Sequence, residues 1–74
     1  MAIITDSVAL GEEIRTERKR QGVTQVELAA LAGVGVRFLR ELEHGKPGCQ
    51  LGLSFQVLDT LGIKLDALNR EGRR

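Results

Sequence analysis

Two short apolar stripes separated by a glycine turn constrain this 74-residue chain more than any other feature. The residues of the second stripe lie three apart, a spacing that places side chains on one helix face, and those of the first are neighbours in the sequence. The stripes consist of Leu28 and Ala29 before the turn and Leu39 and Leu42 after it. Between them, Gly33 can take the left-handed backbone conformation that ends a helix. The pattern therefore predicts two short helices joined by a tight turn.

Capping and terminating residues predict four helices in all. Asp6 and Ser7 are good N-caps for the first helix. Thr24 and Glu27 match the TxxE capping box at the start of the second, and Gly62 ends the fourth. The predicted helices cover residues 7–21, eight residues after Thr24, residues 36–44 and residues 51–61. In the last helix, the spacing assigns an apolar stripe to the core, made of Leu51, Phe55, Leu58 and Leu61.

Residues 63–68 alternate apolar and polar side chains, which is typical of a β-strand. A lone strand leaves backbone groups unpaired, so this one would need a partner strand from a second copy of the chain. The alternative is a short fifth helix, because Leu65 and Leu68 also lie three residues apart. We therefore expect an all-α fold of four or five helices, or four helices with a short C-terminal strand that pairs across a dimer. The expected organisation is an N-terminal arm (1–6), a helix-turn-helix domain (7–62), a dimerisation strand (63–68) and a polar tail (69–74).

No catalytic, metal or cofactor site is predicted. His44 and Cys49 are the only histidine and cysteine, and two ligands fall short of the roughly four that a zinc site needs. The glycines follow no strand and precede no GK[ST] motif, so no phosphate-binding loop is indicated. A single cysteine excludes an internal disulfide and suits a reducing cytoplasm. The apolar run at residues 2–4 is too short for a signal peptide or a membrane span.

The positions of the charged residues say more about possible binding partners than the net charge of +1 does. Basic residues gather late in the first predicted helix, along the third helix and its exit, and at the end of the chain. Such runs are often only a solvated surface. On a helix that follows a tight helix-helix turn, they are also what contact with DNA requires, because the second helix of a helix-turn-helix lies in the major groove.

The motif also resembles a known family at eight positions: Gln25, Leu28, Ala29, Gly33, Val34, Leu39, Leu42 and Glu43. These match the phage-repressor-like helix-turn-helix domains, the XRE or lambda-repressor-like group, and the match extends from about Leu10 to Ile63. The sequence TLGIKLDAL near the end is similar to short antitoxins of the HipB type. The resemblance implies a cytoplasmic homodimer that represses transcription from an inverted-repeat operator in double-stranded DNA. It also implies a kinase-like toxin as partner, and holding that partner, with DNA binding secondary, is the alternative function.

The predicted site residues follow from the way such motifs dock and from the family match. A recognition helix presents its first residues to base edges, while the preceding helix and the following loop contact phosphates. The predicted base contacts are Gly35, Val36, Arg37 and Arg40, and the predicted phosphate contacts are Thr24, Gln25, His44 and Lys46. The family match implies a salt bridge between Arg18 and Glu43. The predicted strand places a dimer interface at Ile63, Lys64, Leu65, Asp66 and Ala67.

Each of these polar assignments has a simpler competitor. Arg37 and Arg40 would also be ordinary on a solvated helix surface, and Gln25 would be ordinary as a solvated residue in a first turn. His44 would serve equally well as a partner of the negative end of the helix dipole.

Overall fold

Four helices make up the regular structure of the chain, and the computed structural model describes residues 3–72 of it. The helices are α1 (Ser7–Arg20), α2 (Gln25–Ala32), α3 (Val36–Glu43) and α4 (Leu51–Leu61). No strand occurs among the described residues, so the predicted all-α fold is confirmed. Residues 1–2 of the predicted arm and 73–74 of the predicted tail lie outside that range. Within it, no helix combines the length and the hydropathy needed to cross a membrane.

The helix boundaries follow from the capping residues. The Asp6 carboxylate accepts a hydrogen bond from the Ala9 amide over 2.8 Å at the start of α1. At the start of α2, the Glu27 amide donates to the Thr24 hydroxyl over 3.1 Å. The Thr24 amide donates in return to the Glu27 carboxylate over 2.9 Å, which completes the predicted capping box. Gly62 closes α4 in the left-handed conformation with φ of 78°. The first and third helices end one residue earlier than predicted, as the ends of helices commonly vary.

The core is aliphatic and draws on all four helices. Ile14 of α1, Leu28 of α2, Leu39 of α3 and Val57 of α4 are almost completely excluded from solvent. Each such side chain contributes about 1.5–3 kcal/mol by leaving water. Helix α1 packs on α3 and α4, and α2 packs on α3 and α4. This arrangement fixes the direction in which α3 presents its outer face.

The inward face of α4 differs from the predicted stripe. Leu51 is 68% exposed and Phe55 is 47% exposed, so the prediction that they belong to the core is wrong. The buried residues of the helix are Leu58 and Leu61, as predicted, together with Ser54 and Val57. Their spacing of three, four and seven residues is also that of one helix face, rotated away from Leu51 and Phe55. The buried Ser54 is tolerated because its hydroxyl donates to the Gln50 carbonyl over 2.8 Å.

Residues 63–69 form neither helix nor strand. The alternative of a fifth helix in this segment is therefore wrong. Ile63 begins the segment with its amide bonded to the Leu58 carbonyl over 2.9 Å and its side chain half-buried against the core. The segment and the N-terminal residues Ile3 and Ile4 line a mainly apolar groove of about 730 Å³. A strand that needs a second chain stays a prediction.

Candidate nucleic-acid interface

A short turn sets α3 against α2. Gly33 has a left-handed φ of 73°, and its amide and that of Val34 bond back to the carbonyls of Ala30 and Ala29. This satisfies carbonyls at the end of α2 and reverses the chain. Gly35 is the N-cap of α3 and provides no side-chain cap. The backbone at the start of α3 is therefore not covered by a capping side chain.

The outer face of α3 carries its arginines. Leu39 and Leu42 are buried, whereas Arg37 and Arg40 are exposed, and the Arg37 side chain is 89% accessible. One face of this short helix thus packs against the core and the opposite face is exposed to solvent, as the spacing predicts. Val36 is half-buried against the core, so only part of its side chain faces solvent.

A buried ion pair attaches α3 to α1. Arg18 Nε donates to Glu43 Oε2 over 2.7 Å, and Arg18 Nη2 donates to Glu43 Oε1 over 3.0 Å. The third guanidinium nitrogen donates to the Val23 carbonyl over 2.9 Å. Arg18 and Glu43 are only 8% and 7% exposed. Two parallel hydrogen bonds fix both distance and angle, so the pair sets the orientation of the C-terminal end of α3.

Two of the predicted phosphate contacts lie at the start of α2. The Thr24 hydroxyl is used in the capping box. The half-buried Gln25 side chain donates through Nε2 to Glu43 Oε1 over 3.1 Å. One carboxylate oxygen therefore accepts from both Arg18 and Gln25. A side-chain amide has two N–H groups, so this bond leaves Gln25 a second donor.

The other two predicted phosphate contacts lie just after α3. His44 is the exposed C-cap residue of the helix. Lys46 Nζ donates to Glu41 Oε2 over 3.0 Å, and the same oxygen lies 3.9 Å from Arg37 Nε. The hydrogen bond from Lys46 lowers the pKa of the Glu41 carboxyl, and the nearby positive charges of Lys46 and Arg37 add to that effect. Glu41 is therefore negatively charged at neutral pH and lies between two cations of the candidate interface.

Sequence reasoning assigned no role to Gly11 or Glu41. A Cβ on Gly11 would lie 2.5 Å from the Leu42 carbonyl oxygen and 2.7 Å from that of Glu43. Only glycine allows α1 to approach the end of α3 so closely. An isolated glycine inside a helical pattern is the available sequence signal for such a contact. The role of Glu41 was detectable only from its position four residues after Arg37.

The residues of the predicted dimer interface differ in how deeply they are buried. Ile63 is half-buried in its own chain, whereas residues 64–67 are exposed. Leu65 in particular is 49% exposed, and it lines the groove beside Ile3 and Ile4. The segment for which a second chain is predicted therefore carries exposed apolar surface at Leu65.

Comparison with known proteins places this geometry in a family. Residues 14–68 match the helix-turn-helix family model HTH_3. Over 65 residues, the chain is 49% identical to the uncharacterized HTH-type transcriptional regulator y4mF of Sinorhizobium fredii (strain NBRC 101917 / NGR234). That alignment covers 88% of this chain and 86% of the relative. The predicted resemblance to helix-turn-helix regulators is confirmed.

The solved structures that superimpose on the chain include HipB in several complexes. A HipB(S29A)–O2 20mer complex matches with a TM-score of 0.86 at 21% identity, over 95% of this chain and 97% of the other. A HipB–O4 20mer complex and a HipA–HipB–O2–O3 complex match with the same TM-score and identity, over 95% of this chain and 99% of the other. At this identity the likeness concerns the fold, and it confirms the predicted HipB-like architecture.

Proposed function

This chain belongs to the helix-turn-helix family HTH_3, and we propose that it represses transcription as a homodimer bound to an inverted-repeat operator. The observation that carries the proposal is that α3 has one apolar face, which is buried, and one basic face, which is exposed. Leu39 and Leu42 hold the helix to the core while Arg37 and Arg40 extend into solvent. An exposed basic face on the second helix of this motif is what insertion into the major groove requires.

Base reading is assigned to the first turns of α3. Gly35 and Val36 offer no side-chain hydrogen bond, so Arg37 is the main reader and Arg40, nearly one turn later, is the second. The arginine fork matches the O6 and N7 acceptors of guanine. We therefore expect guanine in each operator half-site. Val36 contributes at most an apolar contact with a thymine methyl group, because part of its side chain is buried.

Phosphate contacts surround these readers. Thr24 and Gln25 lie at the start of α2, where backbone amides and the positive end of the helix dipole favour an anion. Gln25 can donate one N–H to Glu43 and the other to a phosphate oxygen. His44 and Lys46 serve as contacts on the other side of α3. These contacts position the protein without reading sequence.

The dimer is assigned to residues 63–67. Pairing two copies of this segment about a two-fold axis would be antiparallel and self-complementary. Dimers of this motif bind half-sites whose centres lie about 34 Å apart, one turn of the duplex. The operator would then be an inverted repeat with that centre-to-centre spacing.

Binding-site selection on the full chain tests the proposal. A pool of random duplexes should yield an inverted repeat that contains guanine in each half. The duplex just upstream of the gene should bind with an affinity that falls steeply as salt rises. The Arg37→Ala/Arg40→Ala double variant, in which both exposed readers are removed and the core is untouched, is the control and should enrich no sequence. Failure of the wild-type chain to enrich any sequence, even at low salt, would exclude the repressor.

A second candidate function is to hold a protein partner, with DNA binding secondary. The observation that favours it is the match to HipB in a HipA–HipB–O2–O3 complex, in which HipB is bound together with a second protein, HipA. The partner of this chain would be a kinase-like toxin encoded beside it, and the chain would act as its antitoxin. Co-expression with the product of the adjacent gene, followed by size-exclusion chromatography, tests this function. Co-elution without operator binding would favour it over repression.

A further inference from the structure

Glu41 occupies a position between two cations of the DNA-facing surface. Its Oε2 atom accepts a hydrogen bond from Lys46 Nζ over 3.0 Å and lies 3.9 Å from Arg37 Nε. All three side chains reach solvent: the exposed fractions are 34% for Glu41, 58% for Lys46 and 89% for Arg37. The other two glutamates of the motif have structural uses, because Glu27 completes the capping box and Glu43 pairs with the buried Arg18.

The two contacts of Glu41 have different consequences for DNA binding. Its pairing with Lys46 offsets a positive charge that would otherwise be attracted to any phosphate. Binding of this kind is independent of sequence and depends on the number of cations that neutralise phosphates. A carboxylate beside Lys46 and Arg37 therefore lowers the affinity of this surface for the phosphate backbone of any duplex.

The contact with Arg37 affects the reading of bases. Glu41 approaches Arg37 through Nε, the nitrogen nearest the side-chain stem. The terminal nitrogens can then form the two-point contact with O6 and N7 of guanine. A carboxylate on the following turn also restricts the number of directions in which a long, exposed side chain can point. The Arg37 contact therefore raises the preference for the correct sequence, while the Lys46 contact keeps the sequence-independent part of the affinity low.

We propose that Glu41 is a specificity-determining residue, which orients Arg37 toward base edges and offsets the attraction of Lys46 for DNA phosphates. The proposal rests on the proposed function of this face in binding an operator. The ion pairs are exposed, and such pairs contribute little to folding stability. Replacement of Glu41 should therefore alter DNA discrimination while the thermal melt stays close to that of the wild type.

Two duplexes and four variants test the proposal with the full-length chain. The first duplex is the sequence that the wild type enriches from a random pool, and the second is a shuffled sequence of the same composition. The variants are Glu41→Gln, Lys46→Gln, their double variant and Asp59→Asn. Asp59 is exposed on α4, and its replacement raises the net charge by the same amount as Glu41→Gln does. Asp59→Asn is thus a matched control for charge alone.

Glu41→Gln should bind the shuffled duplex about two- to fivefold more tightly per chain, the size expected for release of an exposed ion pair. It should bind the selected duplex no more tightly than the wild type does, so the ratio of the two affinities falls. Asp59→Asn should leave that ratio unchanged. When Lys46→Gln is already present, adding Glu41→Gln should produce little of this increase in affinity for the shuffled duplex.

Two results would overturn the proposal. The first is a ratio in Glu41→Gln that equals the wild-type ratio; an equal loss of affinity for both duplexes is the case of this kind that would make Glu41 a general structural support. The second is a change in the ratio that Asp59→Asn reproduces, since charge alone would then explain it. A wild-type chain that enriches no sequence would remove the proposed function itself, whereas wild-type enrichment with an unaltered ratio in Glu41→Gln would remove only the role of Glu41.

Discussion

Arg18 and Glu43 join α1 to α3 through two hydrogen bonds of 2.7 and 3.0 Å, and both residues are more than nine-tenths buried. Loss of one partner of such a pair leaves the other as an unpaired buried charge, which costs more than loss of both. Glu43→Ala should therefore lower the free energy of unfolding by about 2–4 kcal/mol. Thermal and urea melts of Glu43→Ala, Arg18→Ala and the double variant would measure this. The double variant should lose clearly less than the sum of the single losses. Small and additive losses would mean that the pair contributes little.

Two helical glycines provide a matched pair of opposite predictions. Gly11→Ala adds a Cβ at 2.5 Å from the Leu42 carbonyl oxygen, a backbone atom that cannot move aside cheaply. We expect it to lower the free energy of unfolding by about 1–3 kcal/mol, the usual cost of overpacking. Gly52→Ala, in the first turn of α4, adds a Cβ with no neighbouring atom within 4 Å. It should raise stability by about 0.5–1 kcal/mol through helix propensity alone. Equal effects of the two substitutions in melts would contradict the close approach of α1 to α3.

The third prediction distinguishes the residues that read bases from those that contact phosphates. Arg37→Ala should cost about 1–3 kcal/mol per half-site and relax the preference at one base. Gln25→Ala and Lys46→Ala should weaken binding to all sequences alike. Of these two variants, only Lys46→Ala removes a cation, so it should flatten the salt dependence by about 0.9 in the slope of log K against log salt per chain, while Gln25→Ala should not. Binding-site selection and salt titration on these variants would measure both effects. If Arg37→Ala kept the wild-type base preferences and lowered only the affinity, Arg37 would be a phosphate contact.

The fourth prediction concerns assembly. Removal of residues 64–74 deletes the exposed Leu65 and its neighbours while it keeps Ile63, which packs against its own core. The truncated chain should sediment as a folded monomer and bind operator far more weakly, because the strand pair and its apolar contacts are lost. Removal of residues 69–74 alone is the control and should preserve the dimer. Analytical ultracentrifugation measures both. A dimer that survives the longer deletion would place the interface elsewhere, with the exposed Leu51 and Phe55 of α4 as the first surface to test.

The helices were predictable from the sequence because local residues determine where they begin and end. The Thr24 capping box and the left-handed Gly33 and Gly62 act within one turn, so their effect can be read without knowledge of the tertiary structure. The inward face of α4 was not predictable in this way. Two sets of apolar residues on that helix had helical spacing, and only packing against α1 and α2 selects Val57 over Phe55.

Some polar contacts of the candidate site were likewise predictable from the sequence, and others were not. The family match implied that Arg18 and Glu43 would meet across 25 positions of sequence, and the structure places them together. Nothing local indicates that the amide of Gln25 shares an oxygen of Glu43 with Arg18, because that contact depends on how three helices meet. Lys46 reaches Glu41 only because the chain turns back after α3. Long-range contacts of this kind require the fold itself.

The brevity of α3 has a consequence for regulation. An isolated helix of eight residues is barely populated in water, so Val36–Glu43 exists as a helix only while Leu39, Leu42 and Glu43 are docked. Undocking of α3 should therefore unfold it and expose its amide protons to exchange, and the buried ion pair should make α3 and α1 one cooperative unit. No partly unfolded state would retain a weakened reading surface. Under the proposed function, heat or a protease that opens the domain would switch operator occupancy off in a single step.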